Sequence, residues 1–280
     1  MKDSFDISKA FDNYVRVIST IATDISFWKS FLTLSIKNYQ DREAKPDEIY
    51  GSVFTAYDIN VTTNSGHLAT SNRTTSILTV DLEEHRILFF TWIMNLSLLK
   101  SYNALEIFLL QAIWLKYYPS LDNPTNNKKA SDNLQKEIKD ILNQRGLTVD
   151  TKNNRHLIEF LRTKSTDFET FAKLPLRADL KTSREDFFEM MSVLRNIIAH
   201  QGTIITQDTL NGIKSKSKDI FERHFTISID ENGDKHVNPI EVGITSILDL
   251  LTDFGVNTVK FVYSETDLKF IGMFSVLRPV

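Results

Sequence analysis

The sequence contains no cysteine in its 280 residues. This absence excludes disulfide frameworks, thiol catalysis and every cysteine-ligated metal site. A charge excess is lacking too, because 33 Lys and Arg face 36 Asp and Glu, for a formal net charge of −3. The overall balance therefore does not announce a nucleic-acid or membrane binder. Nine Gly and six Pro are too few for a fibrous or low-complexity chain.

The sequence also lacks a long hydrophobic run. Its most apolar stretch, residues 87–99, contains Asn95 and Ser97 and ends at Lys100. A membrane span needs about 20 apolar residues, so we interpret this stretch as a buried helix. Asp3 and Asp6 interrupt the N-terminus and argue against a secretory signal peptide. We therefore expect a cytoplasmic protein without a membrane partner.

The hydrophobic pattern that is present indicates a mainly α protein. Apolar residues recur three and four positions apart along most of the chain, as on one face of a helix. This periodicity and the flanking stop signals predict helices over residues 8–38, 81–118, 131–144, 156–162, 184–200, from 206 or 208 to 224, and from Pro239 to about 263.

Two segments have strand character. Residues 225–238 alternate and then turn at Asn232-Gly233, which predicts a small β-hairpin. Residues 51–80 are rich in β-branched residues, and they are consistent with either a loop or a weak hairpin. We divide the chain into an N-terminal helical extension (1–80), a helical domain (81–265) and a C-terminal tail (266–280).

The residues most suited to chemistry lie at the end of the 184–200 helix: Arg195, Asn196 and His200. His titrates near neutrality and can move protons, and Arg can hold a phosphate and stabilise its developing charge. Asn196 and His200 are four apart and share a face. Arg195 and His200 are about 140° apart around the helix. Either the long Arg side chain spans part of that angle, or a symmetric dimer builds a composite cleft.

A structural explanation for the same residues stays open. Cationic side chains near a helix C-terminus complement the helix dipole, and Gly202 is an ordinary residue to follow a helix. Glu106 lies among apolar residues of the 81–118 helix, where it either contacts the motif or faces solvent, and we favour solvent. The histidines have no metal-site spacing, and the chain lacks H-E-x-x-H, P-loop and G-x-S-x-G motifs.

The string Arg195-Asn196-Ile197-Ile198-Ala199-His200, followed by Gly202, resembles the R-x4-6-H motif of HEPN domains, in the common form with Asn after Arg. Its context is also similar to that family. SYNALEIFLLQAIW (101–114) resembles the first core helix of the family, and HLIEFLR (156–162) and residues 174–205 resemble its third region. The resemblance covers about residues 81–263 and leaves the extension outside.

The resemblance implies a HEPN-like helical bundle, commonly a homodimer, with the motif in a cleft between protomers. It further implies a metal-independent endoribonuclease of a toxin, defence or stress system, with RNA as substrate and an antitoxin or defence protein as possible partner. Arg195 and His200 would be the catalytic pair and Asn196 their polar helper. The products would carry a 2′,3′-cyclic phosphate, and no cofactor or metal is implied.

One departure and one alternative accompany this interpretation. HEPN toxins paired with nucleotidyltransferase antitoxins usually carry Tyr two residues after the His, where this chain has Gly202, so the resemblance does not extend to regulation by tyrosine modification. Some HEPN proteins are non-catalytic nucleotide- or protein-binding modules, which is the alternative function. Residues 152–184 contain eight basic against four acidic residues, which indicates either a phosphate-tracking stripe or a solvated face.

Overall fold

The structure, a computed structural model, describes residues 6–41, 49–59, 68–147 and 155–263. The predicted mainly α class is confirmed, with a small hairpin near the C-terminal end. Within the described residues the α-helices are α1 (Ile7–Asp41), α2 (Leu82–Tyr117), α3 (Lys128–Gln144), α4 (Arg155–Lys164), α5 (Asp167–Lys173), α6 (Arg184–His200), α7 (Gln207–His224) and α8 (Ile244–Tyr263). The strands are β1 (Ile49–Ile59), β2 (Leu68–Leu78), β3 (Phe225–Ile229) and β4 (Lys235–Pro239).

Several boundaries differ from the predictions. Helix α5 was not predicted, because seven residues are too short to show a periodic pattern. Pro239 does not begin the last helix but ends strand β4, and α8 starts only after a short 3-10 turn, Glu241–Gly243. The predicted tail, residues 266–280, lies outside the described residues.

The chain divides into two compact units, a body formed by residues 1–23 and 94–280 and a smaller unit formed by residues 24–93. Both long helices, α1 and α2, contribute residues to both units. The start of α1, which the sequence assigned to an extension, packs within the body. There the Tyr14 ring stacks on Phe108 at 5.0 Å between centroids, and Phe11 contacts the same ring at 5.9 Å.

The core of the body is built around the second half of α2. Leu98, Tyr102 and Leu105 recur at helical spacing and are completely buried. The Tyr102 ring lies 5.7 Å from that of Phe188 of α6. Helices α4, α6 and α8 also contribute buried residues to the body, including Phe160, Phe187, Leu194, Leu251 and Phe254. Burying one such side chain stabilises a fold by roughly 1.5–3 kcal/mol. Gly255 of α8 allows close approach to α2, since a Cβ there would lie 2.8 Å from the Leu105 side chain.

Helix α8 has the composition of a membrane span but the packing of a core helix. Among the described helices, the segment Glu241–Tyr263 is long and apolar enough to cross a membrane by length and composition alone. Its residues Ile247, Leu251 and Val259 are completely buried in the body. This packing is that of a helix at the centre of a folded core.

The smaller unit contains a long hairpin. Strands β1 and β2 pair antiparallel from Ile49 opposite Leu78 to Ile59 opposite Leu68, so the hairpin alternative for residues 51–80 is the correct one. The interpretation of residues 87–99 as a buried helix is only half right. Phe90, Met94 and Leu98 are buried, whereas Leu88 and Trp92 are more than half exposed, because α2 is apolar on more than one face here.

Candidate functional site

Helix α6 places the predicted residues at its C-terminal end. Its N-terminus is capped by Ser183, whose hydroxyl accepts from the Asp186 backbone N–H at 3.1 Å and donates to the Asp186 carboxylate at 2.6 Å. Phe187, Met191 and Leu194 form the buried face of the helix. Gly202, with φ of 56°, turns the chain after the helix. Arg195, Asn196 and His200 therefore occupy the last two turns.

The Arg195 guanidinium is held by two asparagines. Its Nη1 donates to Asn196 Oδ1 at 2.8 Å, and its Nε and Nη2 both donate to Asn103 Oδ1 of α2 at 3.3 Å. The Arg195 side chain is 25% exposed, so a solvent-borne ligand can reach it. Asn196 contacts the guanidinium, and its helper role stays a prediction. Asn103, 92 residues away in sequence, was not predicted.

Glu106 also belongs to this cluster. Its Oε2 lies 3.8 Å from Arg195 Nη2, and its side chain is 20% exposed. The favoured interpretation that Glu106 simply faces solvent is therefore wrong, because one turn of α2 after Asn103 brings its carboxylate to the same guanidinium. The carboxylate compensates part of the charge that Arg195 would offer to a phosphate.

His200 lies apart from Arg195. It is exposed at the end of α6, and within the described part of the chain no hydrogen bond or ion pair joins the two side chains. This separation matches the angle of about 140° expected for residues five apart on a helix. Within one chain the two side chains of the predicted pair are therefore not in direct contact.

The segment after His200 is clamped by the β3–β4 hairpin. Thr203, a β-branched residue at φ of 75°, pairs its hydroxyl with His236 Nδ1 at 3.0 Å. His236 Nε2 lies 3.2 Å from the Asp230 carboxylate. Backbone bonds from Val237 N–H to Thr203 O and from Ile205 N–H to Lys235 O join the two segments. Such a left-handed Thr is rare and persists only where its surroundings fix it.

The sequence did not predict this series of hydrogen bonds, which joins Thr203, His236 and Asp230. We set His236 aside because the residue has no metal-site spacing, although the predicted hairpin already placed His236 and Asp230 on facing strands. The pKa of Asp230 is lowered, mainly by the backbone N–H of Asp234 and further by the hydrogen bond with His236. The ionised carboxylate is thereby kept available to orient the imidazole.

Four of the described cations in the basic stretch, residues 152–184, are paired with carboxylates. Arg162 is surrounded by Glu159, Glu169 and Glu185, and Arg177 pairs with Asp253. Arg155 and Lys173 also have carboxylate partners. Acidic residues three or four positions along a helix, or on a neighbouring helix, neutralise most of the excess. Two cations of this stretch, Lys164 and Arg184, form no ion pair within the described residues and contact aromatic rings instead.

Within the described residues, no group of three or more His, Asp or Glu side chains is arranged to hold a metal ion. No protein-family model, curated protein or solved structure matches this chain. The HEPN resemblance therefore stays a prediction that rests on the motif and its helical context.

Proposed function

We propose that the protein is a cytoplasmic, metal-independent endoribonuclease of the HEPN type that works as a homodimer in a toxin, defence or stress system. The observation that carries this proposal is the cluster at the end of α6. It comprises a partly exposed Arg195 oriented by Asn103 and Asn196, with an exposed His200 a little more than one turn further along. A phosphate-binding cation and a free imidazole are the two groups that such cleavage needs.

The angle between the two groups around α6 supports a homodimer. A two-fold axis near the ends of two α6 helices would bring Arg195 of one copy towards His200 of the other. The partner protein expected for a toxin, an antitoxin or another defence component, would then act by covering or opening this cleft.

In the proposed reaction His200 accepts the proton of a ribose 2′-hydroxyl, and the 2′-oxygen attacks the adjacent phosphorus. The bond from phosphorus to the 5′-oxygen breaks, and that oxygen takes up a proton, which leaves a 2′,3′-cyclic phosphate and a 5′-hydroxyl. Arg195 stabilises the additional negative charge of the five-coordinate phosphorus. Asn196 keeps the guanidinium directed towards the phosphate by accepting one of its N–H groups.

The test is RNA cleavage by the purified protein in EDTA, compared between wild type and His200→Ala, with analysis of the product ends. We expect cleavage without metal, cyclic phosphate ends and a loss of about 10²–10⁴-fold in the variant, the usual contribution of a general acid–base residue. His85→Ala, which changes a histidine of the smaller unit, is the matched control and should cleave like wild type. Equal activity in wild type and His200→Ala would contradict the assignment.

The non-catalytic binding module is the second candidate. It is favoured by a cationic, aromatic cavity at the opposite end of α6, described next. This alternative would be supported if the wild-type protein bound nucleotides but cleaved no RNA.

A further inference from the structure

The body contains a cavity of about 640 Å³ that the proposed nuclease reaction does not use. Its wall is formed by residues of α2, α4, α5, α6 and α8, among them Tyr117, Lys164, Phe171, Arg184, Lys260 and Phe261. Ligand sites in proteins are commonly about 300–1,000 Å³. The cavity is thus large enough for a small organic molecule.

The cavity is distant from the motif. Arg184 is the first residue of α6 and His200 is the last. At 1.5 Å per residue the two are about 24 Å apart along the helix axis. A ligand in the cavity would therefore occupy a site separate from the proposed catalytic cleft.

The charge of the lining is positive. Lys164, Arg184 and Lys260 face the cavity, and among the described residues that line it Asp167 is the one carboxylate. Burial, and after it the charge of Arg145, lowers the pKa of the Lys164 ammonium group. Lys164 and Arg184 form no ion pair within the described residues, and an anionic ligand would supply the missing counter-charge for these two cations.

Arg184 is the clearest case of a cation without a carboxylate partner within the described residues. Its Nη1 donates to the backbone oxygen of Phe171 at 3.3 Å, and its guanidinium lies 4.5 Å from the centroid of the Phe171 ring. Its Nε is buried and has no hydrogen-bond partner within the described residues. A buried donor without a partner costs stability, so such a group commonly marks a place for a ligand or an ordered water.

The remaining wall is aromatic. Phe171 and Phe261 stack at 4.6 Å between centroids, and Phe168 packs against both rings. Lys164 lies 4.9 Å from the centroid of Phe160 and 5.3 Å from that of Tyr117. Flat apolar rings beside cations match a ligand that carries a flat base and a phosphate.

We propose that this cavity binds a nucleotide, with Lys164 and Arg184 on its phosphate and the base against the ring cluster of Phe168, Phe171 and Phe261. The nucleotide has two possible sources, a free mononucleotide or the 5′-phosphorylated end of an RNA strand. Both present the same phosphate and base to the cavity. The site is independent of Arg195 and His200 and does not require the chain to be a nuclease.

The test is calorimetric titration of the full-length protein with AMP, ATP, adenosine and inorganic phosphate, each alone, and with a 5′-phosphorylated tetranucleotide RNA whose 2′-hydroxyls are methylated against cleavage. We expect AMP or ATP to bind at least about tenfold more tightly than adenosine or phosphate, because only the nucleotide uses both parts of the lining. A tetranucleotide that binds more tightly than the mononucleotides, with a gain that Arg184→Gln removes, would identify RNA as the source, and the reverse order a free nucleotide.

The variants Arg184→Gln and Lys164→Gln should each weaken nucleotide binding by about 10–100-fold, the usual loss for one hydrogen bond to a charged group. Arg223→Gln changes a half-exposed arginine that pairs with Asp179 elsewhere on the body, and it should bind like wild type. Thermal melts followed by circular dichroism show whether each variant folds. If one of Arg184→Gln and Lys164→Gln does not fold, the other still tests the proposal. No binding of any nucleotide to the folded wild type, or equal binding to both cavity variants, would overturn the proposal. His200→Ala should bind as well as wild type, which separates this result from that of the nuclease test.

Discussion

Helix α6 carries an arginine near each end, and the two are held in opposite ways. Arg195 is fixed by amide oxygens of Asn103 and Asn196 and lies 3.8 Å from the Glu106 carboxylate. Arg184 has a phenyl ring, one backbone oxygen and no ion pair within the described residues. Eleven residues correspond to three helical turns, so both lie on nearly the same side of α6, about 16 Å apart.

The difference between these arginines indicates different tasks. A guanidinium oriented by neutral amides and partly compensated by a carboxylate can hold a phosphate that arrives and leaves during turnover. A guanidinium that is partly buried without a carboxylate is better suited to retain an anion, because the bound charge replaces the missing partner. One helix would thus link a site for reaction to a site for binding.

The sharpest way to break this comparison is to remove each arginine in turn. Arg195→Ala should lower single-turnover RNA cleavage by about 10²–10³-fold, since an oriented donor that stabilises developing charge contributes that much. Arg184→Ala should change the same rate by less than about threefold, because it lies three turns away. The measurement is the cleavage rate with saturating protein. Similar losses in both variants would show that the two ends do not have separate tasks.

A second prediction concerns a buried histidine of α4, the helix that carries Lys164. His156 pairs its Nε2 with Gln135 at 2.6 Å, and burial lowers its pKa to about 4. The folded state therefore keeps this ring neutral, while the unfolded chain takes up a proton near pH 6.5. Stability should be complete above pH 6.5 and fall by about 3 kcal/mol as the pH drops from 6.5 to 4.

Urea unfolding at several pH values measures this loss. His156→Gln keeps a polar partner for Gln135 without a titrating ring, so its free energy of unfolding should depend less on pH over the same range. His85→Gln should retain the wild-type dependence. A wild-type profile that is flat between pH 6.5 and 4 would mean that the imidazole is not protected from protons.

Local patterns made most of the helices predictable. The spacing of Leu98, Tyr102 and Leu105 follows from one helical face meeting the core, and this periodicity is visible in the sequence alone. The hairpin at residues 225–238 was also predictable, because Asn232-Gly233 is a local turn signal. Helix α5 was missed because it is too short for periodicity to show.

The surroundings of the candidate site were much less predictable. Arg195, Asn196 and His200 could be singled out by residue type and spacing, but Asn103 and Glu106 reach Arg195 only through the packing of α2 on α6. The surplus of basic residues in 152–184 was visible in the sequence. Whether those residues are free to bind phosphate depends on acidic partners such as Glu185 and Asp253, which only the fold brings near. Long-range pairing of this kind leaves no local pattern.

Removing the carboxylate beside Arg195 would sharpen the comparison, because it makes that site resemble the Arg184 site more closely. Glu106→Gln should tighten RNA binding and lower KM by up to about fivefold, since partly exposed ion pairs contribute about 0–1 kcal/mol. Steady-state cleavage at fixed ionic strength measures this change. A higher KM would instead show that Glu106 holds Arg195 in its productive orientation.

The smallest expected effect lies in the clamp after His200. His236→Ala removes the contacts with Thr203 and Asp230 and should lower the free energy of unfolding by about 1 kcal/mol, the usual contribution of a hydrogen bond. Because the hairpin positions the end of α6 and does not itself transfer a proton, cleavage should fall by less than about tenfold, and the pH profile of the rate should keep its shape. Nucleotide binding about 24 Å away, at the start of α6, should not change. If the cleavage rate of His236→Ala no longer fell on one side of its pH optimum, His236 would be a proton-transferring residue. The C-terminal end of α6 would then have two imidazoles with different functions, as the helix has two arginines with different functions.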